Sequence, residues 1–173
     1  MTIRALLLGP LLMAASVAPL PQASAFVSGV WTGDANYDSD GNFRDCTMTA
    51  EAENGILIGF VISKDFDWGL VLADERAEFE VGSTHAVLLL IDSRDPIPAL
   101  AKVVDPHGIL IPLEDSGPMI EALREGKVLT IQTEGMEVKF KLTGTRDAIA
   151  QLAACVTESK TTEKVELRKG PRF

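Results

Sequence analysis

Few residues in this chain are of types that do chemistry, so their spacing decides what they could do. Cys46 and Cys155 are the two cysteines, His85 and His107 the two histidines, and 25 acidic side chains stand against 16 basic ones. A zinc site needs three or four converging ligands, usually including His or Cys paired at short spacing, and neither pair is spaced that way. A redox dithiol favours Cys-x-x-Cys with a low-pKa thiol, whereas these two lie 109 positions apart. Nucleophilic catalysis would take one histidine as its base. His85 follows Ser83-Thr84 at an expected strand start, His107 sits in a Pro-Gly turn, and no Gly-x-Ser-x-Gly elbow occurs. No catalytic triad and no cofactor are expected.

The acids offer other chemistry. Asn36-Tyr37-Asp38-Ser39-Asp40-Gly41 imitates the start of a calcium loop, with oxygen ligands at Asn36, Asp38 and Asp40 and a glycine for the turn. Arg44 and Thr47 occupy positions where such a loop wants oxygen and a bidentate Glu, so at best this is a weak surface calcium site. An acidic β-turn is the simpler reading. Asp65, Asp67, Asp74, Glu75, Glu78 and Glu80 flank expected strands. A glycosidase needs two carboxyls held roughly 5 or 9 Å apart, which sequence spacing does not fix. Phe66 and Trp68 around Asp67 form a candidate aromatic platform for a sugar or peptide ring. Its rival is a Trp68 packed in the core, where large aromatics mostly reside.

Position in the cell constrains these readings. Residues 1–25 read as a secretory signal: Arg4 is their one charge, Ala5 to Leu20 is apolar, and Ala23-Ser24-Ala25 supplies the small residues for cleavage before Phe26. The apolar run contains Pro10 and Pro19 and is shorter than the ~20 residues a spanning helix needs. The expected product is a soluble exported protein, periplasmic or secreted, with no stable membrane insertion after cleavage. Losing Arg4 and no acid moves the formal charge from −9 to −10. That field repels phosphate backbones, so nucleic acid is not an expected partner. In an oxidising compartment two lone thiols pair, and Cys46 with Cys155 is expected to form a structural disulfide.

The elements that would hold these residues are mostly strands. Short apolar stretches alternate with turn residues about every ten positions, the pattern of an antiparallel β-sandwich or barrel-like domain. Candidate strands are Val27 to Thr32, Arg44 to Ala50, Ile56 to Ser63, Trp68 to Ala73, Ala77 to Val81, Ala86 to Asp92, Ala101 to Val104 and Gly108 to Leu113. A clearer hairpin follows: Val128 to Thr133, a turn at Glu134-Gly135, then Met136 to Leu142 with strict alternation. A short helix is expected from Pro118, capped by Ser116 or Asp115 and ended by Gly126. A second starts after Thr143 or Thr145 and turns Ile149, Leu152 and Ala153 to the sheet, with Cys155 near its end. The single domain thus covers 26–156, and the polar tail 157–173 is expected to be loosely ordered.

Lys127-Val128-Leu129-Thr130-Ile131, Val138 to Thr145, and Ala148 to Val156 together resemble the C-terminal part of small exported alphaproteobacterial proteins. In these a strand, an L-x-G-[ST] motif, a helix and an Ala-Cys-Val run close the domain, here through Leu142-Thr143-Gly144-Thr145 and Ala154-Cys155-Val156. Cys46-Thr47-Met48 is similar to their early C-x-M. More distantly, the chain resembles the invasion-associated locus B family and the TagO (VasI) periplasmic proteins associated with type VI secretion. These resemblances imply a fold and transfer no catalytic residue.

The function that best fits is a non-enzymatic binding or scaffold protein of the bacterial cell envelope, contacting another envelope or secreted protein through a sheet edge or loop surface. An inhibitor or immunity-type protein acting on a cell-wall hydrolase is one alternative. A carboxylate-based glycan hydrolase is another.

Overall fold

The computed structural model describes residues 25–52 and 54–169. The expected signal lies outside them except for Ala25, and so does the end of the tail, 170–173. Ten antiparallel strands form one sheet, with two helices against it.

The first strand expected from the sequence is broken by a turn. β1 (Phe26–Ser28) reverses at Gly29, whose φ of 61° favours glycine, into β2 (Trp31–Tyr37). In β2, Trp31, Gly33 and Ala35 point inward while Thr32 and Asp34 face water. At Gly33 the Phe26 ring lies where a Cβ would be, its nearest atom 2.1 Å away, so any side chain there would displace that ring. β3 (Phe43–Glu51), β4 (Leu57–Ser63) and β5 (Trp68–Ala73) continue as a meander, and β6 (Thr84–Ile91), β7 (Ile97–Asp105) and β8 (Gly108–Leu113) follow. β8 pairs with β5, which gives the order β1-β2-β3-β4-β5-β8-β7-β6-β9-β10, closed by the hairpin of β9 (Val128–Thr133) and β10 (Met136–Lys141).

Two boundaries differ for a clear reason. Ala77 to Val81 is not a strand but part of the β5–β6 loop, where Phe79 N–H donates to the Pro106 carbonyl and the His107 Nδ1 to that of Ala77. β7 starts at Ile97 rather than Ala101, with Pro98 on its outer face opposite Leu88.

Helix α1 (Gly117–Glu125) is built as expected. Ser116 Oγ accepts from the Met119 N–H, Pro118 lies in the first turn, and Gly126 ends the helix in a spot where a Cβ would press on Ile91 and Leu142. Helix α2 (Thr145–Lys169) is longer than expected and runs past Val156 through much of the segment predicted to be loosely ordered. Its buried stripe, Ala148, Ile149, Leu152, Cys155, Val156 and Ser159, keeps helical spacing one turn beyond that point. Asp147 lies in its first turn, favourable for the helix dipole.

The inner faces of the strands enclose one core with α2 lying along β1 to β4 and α1 against α2. Trp31 is fully buried at 5.5 Å from Phe60, and its Nε1 donates to the Thr143 carbonyl at 3.0 Å. Next to it, Gly144 takes φ 85° and the buried Thr145 hydroxyl sits between the carbonyls of Leu123 and Leu142. The expected bond joins Cys46 on β3 to Cys155 on α2, closing a loop of 109 residues.

Two outcomes follow for stability. Replacing both cysteines by alanine should cost about 4 to 5 kcal/mol by the chain-entropy argument, read as a lower urea midpoint. Trp31→Phe leaves the Thr143 carbonyl without its donor and should cost about 1 to 3 kcal/mol in the same measurement.

Candidate functional site

The residues singled out by chemistry are held mainly by local structure. Asn36 lies in β2, not in a loop, and its Nδ2 donates to Asp45 at 2.7 Å and to the Thr47 hydroxyl at 3.0 Å. Asp38 closes the β2–β3 hairpin instead: one oxygen accepts from the N–H groups of Asp40 and Asn42, and the other from the Asn42 side chain. These bonds, Asn42 foremost, hold the Asp38 carboxyl below its ordinary pKa. Among the described residues no three His, Cys, Asp or Glu side chains gather where an ion could sit. Asn36 thus belongs to the end of β2, and Asp38 and Asp40 to the turn that joins it to β3.

The Phe66-Asp67-Trp68 platform is divided between two environments. Trp68 begins β5 and packs half-buried against the core. Phe66 is exposed at the hairpin tip with φ 68°, its ring 4.7 Å from the Lys160 ammonium of α2. The same Nζ donates to the Lys64 carbonyl. Asp67 accepts from Ser63 Oγ at 3.2 Å. Trp68 thus turns toward the core while Phe66 meets α2 at Lys160.

Neither histidine is placed as a base. The Ser83 hydroxyl spends its proton on the Glu80 carbonyl at 2.7 Å, so His85 Nε2, 3.2 Å away, faces a lone pair of Ser83. The Ala77 carbonyl can only accept, so His107 carries a proton on Nδ1. Asp74 is gripped by Arg76 through Nε at 2.8 Å and Nη2 at 2.9 Å, which lowers its pKa. Asp92, at φ 52°, accepts from the Val128 and Lys127 N–H groups, and those bonds lower its pKa. Glu137 is lowered by Lys139 and Gln132. Each of these shifts favours the carboxylate, opposite to what a proton-donating acid needs.

The feature that local structure leaves unexplained is on the outer face of the sheet. Strand register aligns Gln132, Leu88 and Pro98 in one row, Ala86 and Leu100 in the next, and Lys102, Leu110 and Val71 in another. Pro112, Gly69 and Val61 form a further row across β8, β5 and β4. Leu100 is 59% exposed, Val104 54% and Leu88 40%. A Cβ on Gly69 would meet Leu110 at 2.7 Å and Val61 at 3.0 Å, so that glycine lets their side chains close over the sheet. A shallow groove of about 830 Å³ runs along Leu88, Pro98, Leu100 and Pro112. On either side the outer face turns polar, at Asp34, Thr47 and Thr49 on β2 and β3 and at Thr130, Glu137 and Lys139 on β9 and β10. The sequence reading missed this patch, although the signal was there: continuous apolar runs such as Ala86 to Ile91 leave apolar side chains on both faces.

No protein-family model matches the chain, and no curated protein matches it significantly. Among solved structures, the crystal structure of invasion associated protein B from Bartonella henselae is similar with a TM-score of 0.55 and 20% identity, over 78% of this chain and 97% of that one. The likeness is one of fold, in line with the distant resemblance read from the sequence.

The carboxylates carry a pH test. Because the folded pKa of Asp92 lies below its unfolded value, its contribution is complete above about pH 4 and is lost as pH falls through the folded value. Asp92→Asn should therefore lower Tm at pH 7 and reduce the drop in Tm on acidification, as thermal melts across that range would show.

Proposed function

From a fold shared with invasion associated protein B and an apolar sheet face rimmed by polar strands, we propose that this chain is an exported, envelope-associated binding protein without catalytic activity, acting by protein–protein contact. The observation that carries this reading is the outer face of β5, β8, β7 and β6. Contiguous exposed apolar surface of this kind marks interaction sites, whereas single exposed leucines do not. Its occupant is a second protein with an apolar contact surface. Pro98 and Pro112 add rigid apolar rings to the middle of the patch, which favours recognition by shape and burial. Export is supported by the signal-like 1–25, by the Cys46–Cys155 bond, and by the finding that no helix among the described residues is long and apolar enough to cross a membrane. Absence of catalysis is supported by lowered carboxylates and by histidines that face carbonyls or lone pairs.

The test uses site-specific photo-cross-linking in the envelope. A cross-linker at position 100 should yield one discrete heterologous adduct, and one at position 34, on the polar part of the same sheet, should not. Leu88→Asp with Leu100→Asp should reduce the adduct about tenfold or more while the far-UV spectrum and Tm stay near the parent's. Equal adducts from both positions, or turnover of glycan by the purified protein, would refute the reading.

A further inference from the structure

We propose a second binding site, separate from the apolar face: the cleft beside β10 accepts an extended segment of another protein as an added strand, with acidic residues at alternate positions. Its strand edge is the first argument. β10 pairs with β9 along one side, and among the described residues no strand pairs with its other side. Along these six residues every second one turns its N–H and C=O away from β9, presenting ladder donors and acceptors to an incoming chain. The opposite edge of the sheet is different. β1 has three residues and lies against α2, as a managed edge usually does.

The cleft supplies the second argument. A cavity of about 670 Å³, within the range of binding pockets, opens beside β10. Phe140 and Val128 line it from the β9–β10 hairpin, and Ala50, Ala52, Ile58 and Val30 from the other half of the sheet. β3 overhangs β2 here. The pairing of those two strands starts at Thr49 with Thr32, so Ala50 and Glu51 pair with β4 alone. Backbone from both β10 and β3 therefore borders the cleft, and a strand laid into it bonds to β10 while placing every second side chain among the apolar ones.

Charge selects the occupant. Inward Val138 and Phe140 alternate with outward Lys139 and Lys141, both of which line the cleft. Side chains opposite the two lysines favour carboxylates at i and i+2, with an apolar residue between them. Lys139 already meets Glu137 on its own strand at 2.7 Å, an exposed pair that is weak enough to exchange. A second copy pairing in parallel would bring lysines onto lysines, and one pairing antiparallel would set Glu137 against Lys139; that occupant would show as a concentration-dependent dimer in place of peptide binding and would overturn the proposal. Among the described residues Glu51 on the far wall and Glu137 on β10 work against this preference, and Lys141, like Lys139, already has an interaction that an incoming carboxylate would exchange.

Fluorescence anisotropy with the mature protein tests this. The probes are a dye-labelled hexapeptide alternating glutamate and valine, its lysine–valine counterpart, the glutamate peptide N-methylated at alternate bonds, and dodecanoate as competitor. The glutamate peptide should bind saturably, and about tenfold or more tighter than the lysine peptide. N-methylation should abolish binding, since it removes the ladder donors. Lys139→Glu with Lys141→Glu should weaken binding about tenfold or more. Val30→Trp, made at an exposed turn, blocks the cleft without reversing charge and should weaken binding with Tm unchanged, which keeps the test valid if the double variant fails to fold. The apolar-face variant, Leu88→Asp with Leu100→Asp, should bind the peptide as the parent does, so failure here is distinguishable from failure of the other site. No saturable binding up to millimolar peptide would overturn the proposal. So would equal binding of the N-methylated peptide, or dodecanoate binding in its place, which would make the cleft a small-molecule site.

Discussion

The tie between β2 and the start of α2 is the constraint on which the rest of the structure depends. The Trp31 indole reaches a carbonyl 112 residues further along the chain. At that corner Gly144 takes a left-handed conformation, and the buried Thr145 shares its hydroxyl proton between the carbonyls of Leu123 and Leu142, the latter also accepting from the Thr145 N–H. The motif Leu142-Thr143-Gly144-Thr145 therefore works as a joint: Leu142 in the core, Thr143 offering its carbonyl, Gly144 making the corner, Thr145 starting the helix. With the corner fixed, α2 points across β1 to β4, and the bond from Cys155 to Cys46 holds it there. Neither tie would place the helix alone, since the joint sets its direction and the disulfide sets where it crosses the sheet.

Once α2 covers the inner face of one half of the sheet, the surplus apolar surface has to appear elsewhere. From Trp31 to Ala35 in β2, from Cys46 to Glu51 in β3 and from Glu137 to Lys141 in β10, buried residues alternate with outward Thr, Asp, Glu or Lys. In β4 to β8 it is not: Val61, Val71, Leu88, Leu100 and Leu110 point away from the core into positions that a sheet wet on one side would fill with polar residues. Gly59 and Gly69 lie in the same rows and thin the sheet there, so that neighbouring side chains settle over the backbone. Together these outward residues form the apolar patch over the middle of the sheet.

Local signals made much of the fold legible. The alternation from Val138 to Leu142, the Ser116, Pro118 and Gly126 punctuation of α1, and the lone thiol pair each have one physical interpretation, and the structure contains all three. Where reading failed, long-range contacts had overruled local ones. Ala77 to Val81 has strand-like residues, but its backbone groups bond to Pro106 and to the His107 ring rather than to a ladder. Trp31 to Tyr37 is a strand that small residues disguised, because its inward Gly33 and Ala35 make room for Phe26 and the helix rather than filling space themselves. Ser159 concealed the length of α2 by putting a polar residue on the buried stripe. The candidate site was less legible. Phe66, Asp67 and Trp68 are adjacent in sequence, but a strand start separates what the last two do. The apolar face joins β5, β8, β7 and β6 in an order that the chain does not follow.

That order has a consequence for the sheet as a whole. Because β8 inserts next to β5, and β6 next to β9, strands early and late in the sequence end up at opposite edges while the middle of the chain fills the centre. The centre carries the apolar outer face and the two edges carry the polar ones. A sheet arranged this way offers two chemically distinct means of contact: burial over its middle, and hydrogen bonding along any edge left uncovered. α2 removes β1 from that role by lying against it. Among the described residues no strand covers the outer side of β10, and the lysines of its outward row are what an acidic strand would meet there.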